Sequence, residues 1–363
     1  TEMGVQSDIM TYNMDVKWTP RWKEEIIEGS SAKLLREPGF NPLLGLPNPM
    51  SNLLKLNLLP SPLFLNRFRN YDIIHFVGEA DLSFPLFSFM IRKPKLLQCV
   101  GIFRKGGIYK YYMHDRPSLG AIFTRVFKRL SNKFVISSSE ERLLLSEMGI
   151  PKEEIVVLPI GVDTRTFRPD LANKSKDLVL FVGRIHPIKG LDVLLRALPH
   201  VRRPVHLIVL GSSWDKAYIK EIERLSNGIN QIGFHKVTLV GEVKSNDLVP
   251  WYQKAAILVC PYLYETSSNV VRESMACGTP VVSTGSHVLE DRPDGILLSR
   301  RIPEELAKTI SEILENQELR ARLGEEARNA AVACLSWDYI ITNLIKIYRE
   351  MLPSSNSSVS LEN

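Results

Sequence analysis

Cysteine is scarce in this chain and scattered. Cys99, Cys260, Cys277 and Cys334 are the four present among 363 residues; none forms a C-x-x-C pair and each lies in an apolar stretch. This spacing argues against a cysteine-based zinc or redox centre and fits reduced, buried thiols in a cytoplasmic setting. Long hydrophobic runs are missing as well. The longest, such as Leu82 to Ile91, reach about half of the roughly 20 residues a spanning helix needs, and no signal pattern opens the sequence. The chain is therefore not read as spanning a membrane. It also lacks a helix-turn-helix, zinc-finger or RNP-like signature, so nucleic acid is not an expected partner. No D-x-D pair occurs; Glu79 and Asp81 form an E-x-D, which alone does not make a metal site.

What is present is the composition of two packed domains, 44% hydrophobic with 21 Gly and 22 Pro. The formal net charge of +6 is uneven: residues 1 to 170 carry 23 Lys+Arg against 18 Asp+Glu, and the remainder 23 against 22. That excess suggests an anionic surface or acceptor near the first half, although a solvated basic face gives the same count. In residues 120 to 134, Ile122, Phe123, Val126, Phe127 and Leu130 interleave with Arg125, Lys128, Arg129 and Lys133. Such a helix suits an anionic membrane surface, reached peripherally from the cytoplasmic face. It suits better still a helix packed on its own sheet with a basic outer side.

In the second half, short β-branched runs at 177 to 183, 205 to 211, 236 to 241, 257 to 262 and 280 to 284 alternate with helical patterns. This predicts a parallel sheet covered by helices, with its ligand crevice at the strands' carboxyl ends. The first half repeats the rhythm less cleanly, at 72 to 76, 95 to 100, 133 to 137 and 154 to 159. The fold class is thus α/β with two Rossmann-like domains, residues 1 to 170 and 171 to 335. A polar linker is expected near residues 165 to 176, a helix at 336 to 352, and a polar, disordered tail at 353 to 363. The opening GVQSDIMTY reads as the second strand of a Rossmann-like domain, so a first strand and Gly-rich turn are expected upstream and restoring them is expected to raise activity. The Leu- and Pro-rich stretch from Pro42 to Pro62 finds no place in this pattern.

Chemistry concentrates in two segments. In residues 261 to 284 a strand leads through a polar loop into a helix, and Glu265 and Glu273 bracket it as E-x7-E. Thr266, Ser267, Ser268 and Asn269 are all N-cap types, so a helix start with unpaired backbone N–H groups is expected there, which suits phosphate and sugar oxygens. Glu273, within that helix, can accept two hydrogen bonds from a vicinal diol such as a ribose. In residues 180 to 198, Arg184 leaves a strand end and Lys189 stands where the next helix opens. Cations fixed there stabilise a departing diphosphate and can replace a metal held by D-x-D. Singly, Arg184 and Lys189 read as surface cations and the two glutamates as solvated residues; the joint context carries the assignment. His75, His186 and His287 are each sufficiently explained by structure or exposure, and Ser138 with Glu141 by a capping box.

Taken together, VISSSEE at 135 to 141, VVLPIGVDTRTFRP at 156 to 169, VGRIHPIKG at 182 to 190, LVGEV at 239 to 243, the E-x7-E segment and SWDYI at 336 to 340 resemble the family 4 retaining glycosyltransferases. The resemblance covers roughly residues 133 to 350. It implies a GT-B architecture with a nucleotide-sugar-binding second domain, an acceptor-binding first domain, catalysis in the cleft between them, and a final helix crossing back to the first domain. It implies transfer of a hexose-type sugar, with retention, to a glycolipid or polysaccharide-type acceptor, and no metal or other cofactor. By analogy Arg184 and Lys189 hold the donor diphosphate, Glu273 the ribose, Glu265 the donor sugar near the reacting carbon, and Val243 meets the base through its main chain. Backbone groups of Ser267, Ser268 and Asn269 meet sugar and phosphate. The chain departs from many relatives in two places: Thr266, Ser267 and Ser268 stand where Gly-Phe-Gly is common, and Gly101 where a His is. A catalytically silent scaffold or binding subunit of the same fold is the alternative, and a nucleotide-sugar epimerase a weaker one.

Overall fold

The computed structural model describes residues 9–12, 23–26, 33–37, 70–78, 92–99, 102–105, 108–111, 131–213, 215–263, 265, 267–285 and 294–352. The 42 to 62 stretch, Glu79, Asp81, Gly101, the 120 to 130 part of the amphipathic pattern, Thr266, His287 and the tail lie outside the described residues. The chain divides into two compact units: residues 1–136, 141–157 and 343–363, and residues 137–140 and 158–342.

In the first unit, Ile9–Tyr12 (β1), Lys23–Ile26 (β2) and Lys33–Glu37 (β3) form a sheet of order β1-β3-β2. Ile74–Gly78 (β4) and Lys95–Cys99 (β5) belong to a second sheet, and Ile102–Lys105 (β6) pairs antiparallel with Ile108–Tyr111 (β7). Lys133–Ile136 (β8) and Ile155–Val157 (β9) complete the parallel order β4-β5-β8-β9. Helix Ser139–Glu147 (α1) starts just after Ser138 and buries Leu144 and Leu145 against Phe134 and Ile136 of β8. His75 on β4 lies with its Nδ1 2.8 Å from Tyr348 Oη. Burial pulls its imidazole down to about 4, against a hydrogen bond with Gln98 that raises it, so it is neutral at pH 7.

The second unit is built on six parallel strands. They are Leu178–Val182 (β10), His206–Leu210 (β11), Lys236–Gly241 (β12), Ile257–Cys260 (β13), Val281–Ser283 (β14) and Ile296–Leu298 (β15). Their order, β12-β11-β10-β13-β14-β15, is that of a doubly wound sheet. β10, β11 and β13 are near-continuous apolar runs because helices cover both faces. Val179, Phe181, Leu207, Val209, Ile257 and Val259 enter one core, and Leu180, Val182, Ile208, Leu210, Leu258 and Cys260 the other.

The helices of this unit are Leu191–Ala197 (α2), Lys216–Ile232 (α3), Val249–Lys254 (α4), Asn269–Ala276 (α5), Pro303–Glu315 (α6) and Gln317–Ala330 (α7). Local chemistry sets their limits. Asp215 caps α3 by accepting from the Ala217 and Tyr218 N–H groups, each at 3.0 Å, and Gly233 ends it at φ 77°. Trp337–Met351 (α8) follows Ser336, and its residues from Asn343 onward group with the first unit. The 165 to 176 stretch folds within the second unit, where the Lys174 ammonium donates to the Gly278 carbonyl at 3.2 Å. Among the described residues no helix is long and apolar enough to cross a membrane, and Cys260, Cys277 and Cys334 are free, buried thiols.

The carboxyl ends of β10 and β11 approach closely. Gly211 has φ 142°, and a Cβ there would lie 1.9 Å from the Gly183 carbonyl oxygen. Gly211→Ala is expected to destabilise the fold by about 1–3 kcal/mol from backbone strain alone, with the steric clash adding to it. Urea denaturation with an unchanged midpoint would refute that close approach.

Candidate functional site

In a doubly wound sheet the ligand crevice opens where the strand order reverses, here between β10 and β13. The loops leaving these two strands, 183 to 190 and 261 to 268, carry Arg184, Lys189, Glu265, Ser267 and Ser268. Sequence periodicity located the strands; the topology makes their loops neighbours.

Backbone contacts stitch the loops together. Leu263 N–H donates to the Ile188 carbonyl at 2.8 Å. Arg301, which follows β15, donates through Nε to the Pro261 carbonyl at 3.1 Å and through Nη2 to that of Pro187 at 3.3 Å. Gly190 has φ 69°, and a Cβ there would fall 2.0 Å from the Pro261 oxygen, so only glycine lets the loops meet. His186 Nδ1 accepts from the Ile188 N–H at 3.2 Å and so caps the short turn Pro187–Lys189. That bond accounts for His186 without any chemistry.

At the junction the Lys189 ammonium pairs with the Glu265 carboxylate, both side chains being buried. The same ammonium lies 4.3 Å from the centroid of the Tyr262 ring, a cation–π contact strengthened by exclusion of water. A buried charge is tolerated only when compensated. Lys189 and Glu265 therefore fix each other's position across two loops. Arg184 is exposed on the first loop; Val243, beyond β12, is half-buried against the second core.

The second loop runs into α5. Ser268 occupies its N-cap position, extended at φ −100° and ψ 113° and buried, with its Oγ 3.5 Å from Tyr262 Oη. The helix begins within the run of capping residues, as their type predicts. One turn in, Glu273 is half-buried and accepts a 2.8 Å hydrogen bond from the Tyr252 hydroxyl of α4. Burial raises the Glu273 pKa above the usual carboxylate range, while the Tyr252 hydrogen bond and the Arg272 charge pull it back. Arg272 is itself fully buried, donating through Nη1 to Ser267 Oγ at 2.7 Å and through Nη2 to Asn269 Oδ1. The far end of the helix is held by Arg328 of α7, whose Nη1 donates to the carbonyls of Ala276 at 2.8 Å, Phe167 at 3.0 Å and Thr164 at 3.1 Å.

Lys189 and Glu265 thus meet directly, while Ser267, Ser268, Asn269 and Glu273 share one helix opening. Sequence reasoning missed Tyr252, Tyr262, Arg272 and Arg301. A Tyr within WYQK or an Arg within VVRES carries no motif of its own, and only the fold reveals the burial that makes each consequential.

Comparison with known proteins bears on the family and the fold. Residues 176–316 match the family described as Glycosyl transferases group 1, and residues 3–166 match Glycosyltransferase Family 4. The chain belongs to the family 4, group 1 glycosyltransferases. Among family members with known roles it is 31% identical over 242 residues to the D-inositol 3-phosphate glycosyltransferase of Xylanimonas cellulosilytica, covering 61% of this chain and 57% of that one. The chain thus spans little more than half the length of that relative. Sucrose-phosphate synthase from Thermosynechococcus elongatus superposes with a TM-score of 0.70 at 21% identity, covering 96% of this chain and 90% of that one. Anabaena HepE in complex with UDP gives 0.68 at 16%, covering 88% and 86%. These likenesses place the fold in the GT-B class.

The Tyr252 contact to Glu273 makes a measurable statement about charge. Carboxyl-labelled NMR should find Glu273 titrating above the ordinary glutamate range, and higher still in Tyr252→Phe, which loses a hydrogen bond to the ionised form. An unchanged or lower pKa in Y252F would show that the hydroxyl does not hold that charge.

Proposed function

We propose that this family member is a retaining glycosyltransferase, moving a hexose-type sugar from a nucleoside diphosphate donor to a glycolipid or polysaccharide-type acceptor without a metal. The observation that carries this reading is the buried Lys189–Glu265 pair beside the Glu273-bearing helix, at the switch point of a doubly wound sheet. In the reaction the anomeric carbon–oxygen bond to the diphosphate breaks, and the acceptor oxygen bonds to that carbon on the same face. The acceptor proton passes to the leaving phosphate oxygen, so no protein nucleophile is needed.

Each residue then has a role its chemistry supports. Arg184 and Lys189 meet the negative charge that grows on the departing diphosphate, the first as a bidentate fork and the second as a point charge. Glu273, oriented by Tyr252, accepts from the ribose diol, and Glu265 from the donor sugar hydroxyls. The main chain of Val243 meets the base, and the opening of α5 at Ser267, Ser268 and Asn269 offers N–H groups to sugar and phosphate. The basic excess of residues 1 to 170 favours an anionic, lipid-linked or glycan acceptor there.

Thermal-shift screening of UDP-, GDP- and ADP-sugars tests the donor class, since ligand at 100 times its dissociation constant adds about 2.7 kcal/mol. No shift with any of them would sink the reading. With the donor so found, Lys189→Ala and Arg184→Ala are each expected to lower kcat/KM by about 10² or more, and Arg184→Lys to recover only part. EDTA should leave most of the turnover. Activity lost to chelation and restored by a divalent cation, or unaltered in both Ala variants, would mean the leaving-group site is misassigned. Retention is read from the anomeric proton of the product.

A further inference from the structure

The largest fully buried side chain of the described residues is charged: Arg272, 1% exposed, inside α5. It lies between the two site carboxylates in sequence, and both act on it electrostatically, Glu265 more strongly than Glu273. Burial lowers its guanidinium pKa to about 10, still well above neutrality, so it stays a cation. Its Nη1 and Nη2 donate to Ser267 Oγ and Asn269 Oδ1, while its Nε–H is buried with no partner among the described residues. A buried cation with an orphaned donor costs stability. An apolar residue would fill the position at less cost.

What that cost maintains is visible in the donor and acceptor inventory. A serine hydroxyl both donates and accepts, and an asparagine amide has one accepting and one donating end. By taking the accepting side of both, Arg272 leaves the Ser267 O–H and the Asn269 N–H₂ as donors at the helix opening. Ser267 is half-buried there and Asn269 exposed. We propose that Arg272 is a positioning residue that sets Ser267 and Asn269 as hydrogen-bond donors toward the oxygens of a bound nucleoside diphosphate. The inference rests on the glycosyltransferase reading and deepens it. In this chain Ser267 and Asn269 act together with a buried arginine five and three residues further on, so the polar loop is one half of a two-part device.

The test is isothermal titration with UDP, GDP and ADP across pH 5 to 8, for wild type, Arg272→Met and Arg272→Lys. Methionine matches the aliphatic stem without charge or fork; lysine keeps the charge and loses the fork. R272M should bind the preferred nucleotide about tenfold or more weakly at pH 8, a loss near 1.4 kcal/mol. Its acid limb should also move to higher pH, because one of the two groups that lower the Glu273 pKa, beside the Tyr252 hydrogen bond, is gone. The groups remaining against Glu273 are then Tyr252 from α4 and Cys277 at the end of α5. R272K should restore the limb but not the affinity, since one ammonium does not span Ser267 and Asn269. Wild-type affinity in R272M or R272K overturns the inference alone; no binding of any of the three nucleotides by wild type overturns the reading beneath it as well. If R272M does not fold, the R272K affinity and limb decide the matter.

Discussion

An ammonium with a carboxylate on one side and an aromatic ring nearby joins the two loops on which everything at this site depends. Lys189 is delivered by the turn after β10, Glu265 and Tyr262 by the loop after β13, and neither charge is stable there without the other. The closeness of the loops is a backbone matter first: Gly190 approaches the Pro261 carbonyl and the Leu263 N–H donates to the Ile188 carbonyl. Side-chain chemistry is added to a junction that the main chain has already closed.

The helix beyond that junction is short, eight residues, and an isolated helix of this length would not persist. It is held at both ends by guanidinium groups, Arg272 at its opening and Arg328 at its close. Glu273 is aimed from the side by Tyr252. A carboxylate whose rotamer is fixed before ligand arrives needs little reordering on binding.

Much of this was legible in the sequence, for identifiable reasons. β10, β11 and β13 are apolar without interruption because both faces are covered, and such runs, ended by Gly183, Gly211 and Pro261, are hard to misread. The E-x7-E spacing and the capping residues placed the opening of α5. Shorter strands escaped: Ile296–Leu298 has three residues, and the Ile102–Lys105 and Ile108–Tyr111 hairpin mixes cations and aromatics in a pattern without clear period. Arg272 escaped for another reason. Nearly every side of α5 is buried, so helical phase does not separate an inward arginine from an outward one. Its partners Ser267 and Asn269 were named, but only for their capping type.

The charges themselves have a consequence. With Glu273 ionised, Lys189 and Arg272 face Glu265 and Glu273, two of each sign, so the cluster presents little net charge to its surroundings. Dissolved salt acts through the long-range part of a field, which falls off within about 10 Å at moderate ionic strength. A self-compensated cluster has little such field to lose. A molecule recognised by such a cluster would have to match alternate signs over a few ångströms, a pattern that a bare inorganic anion lacks.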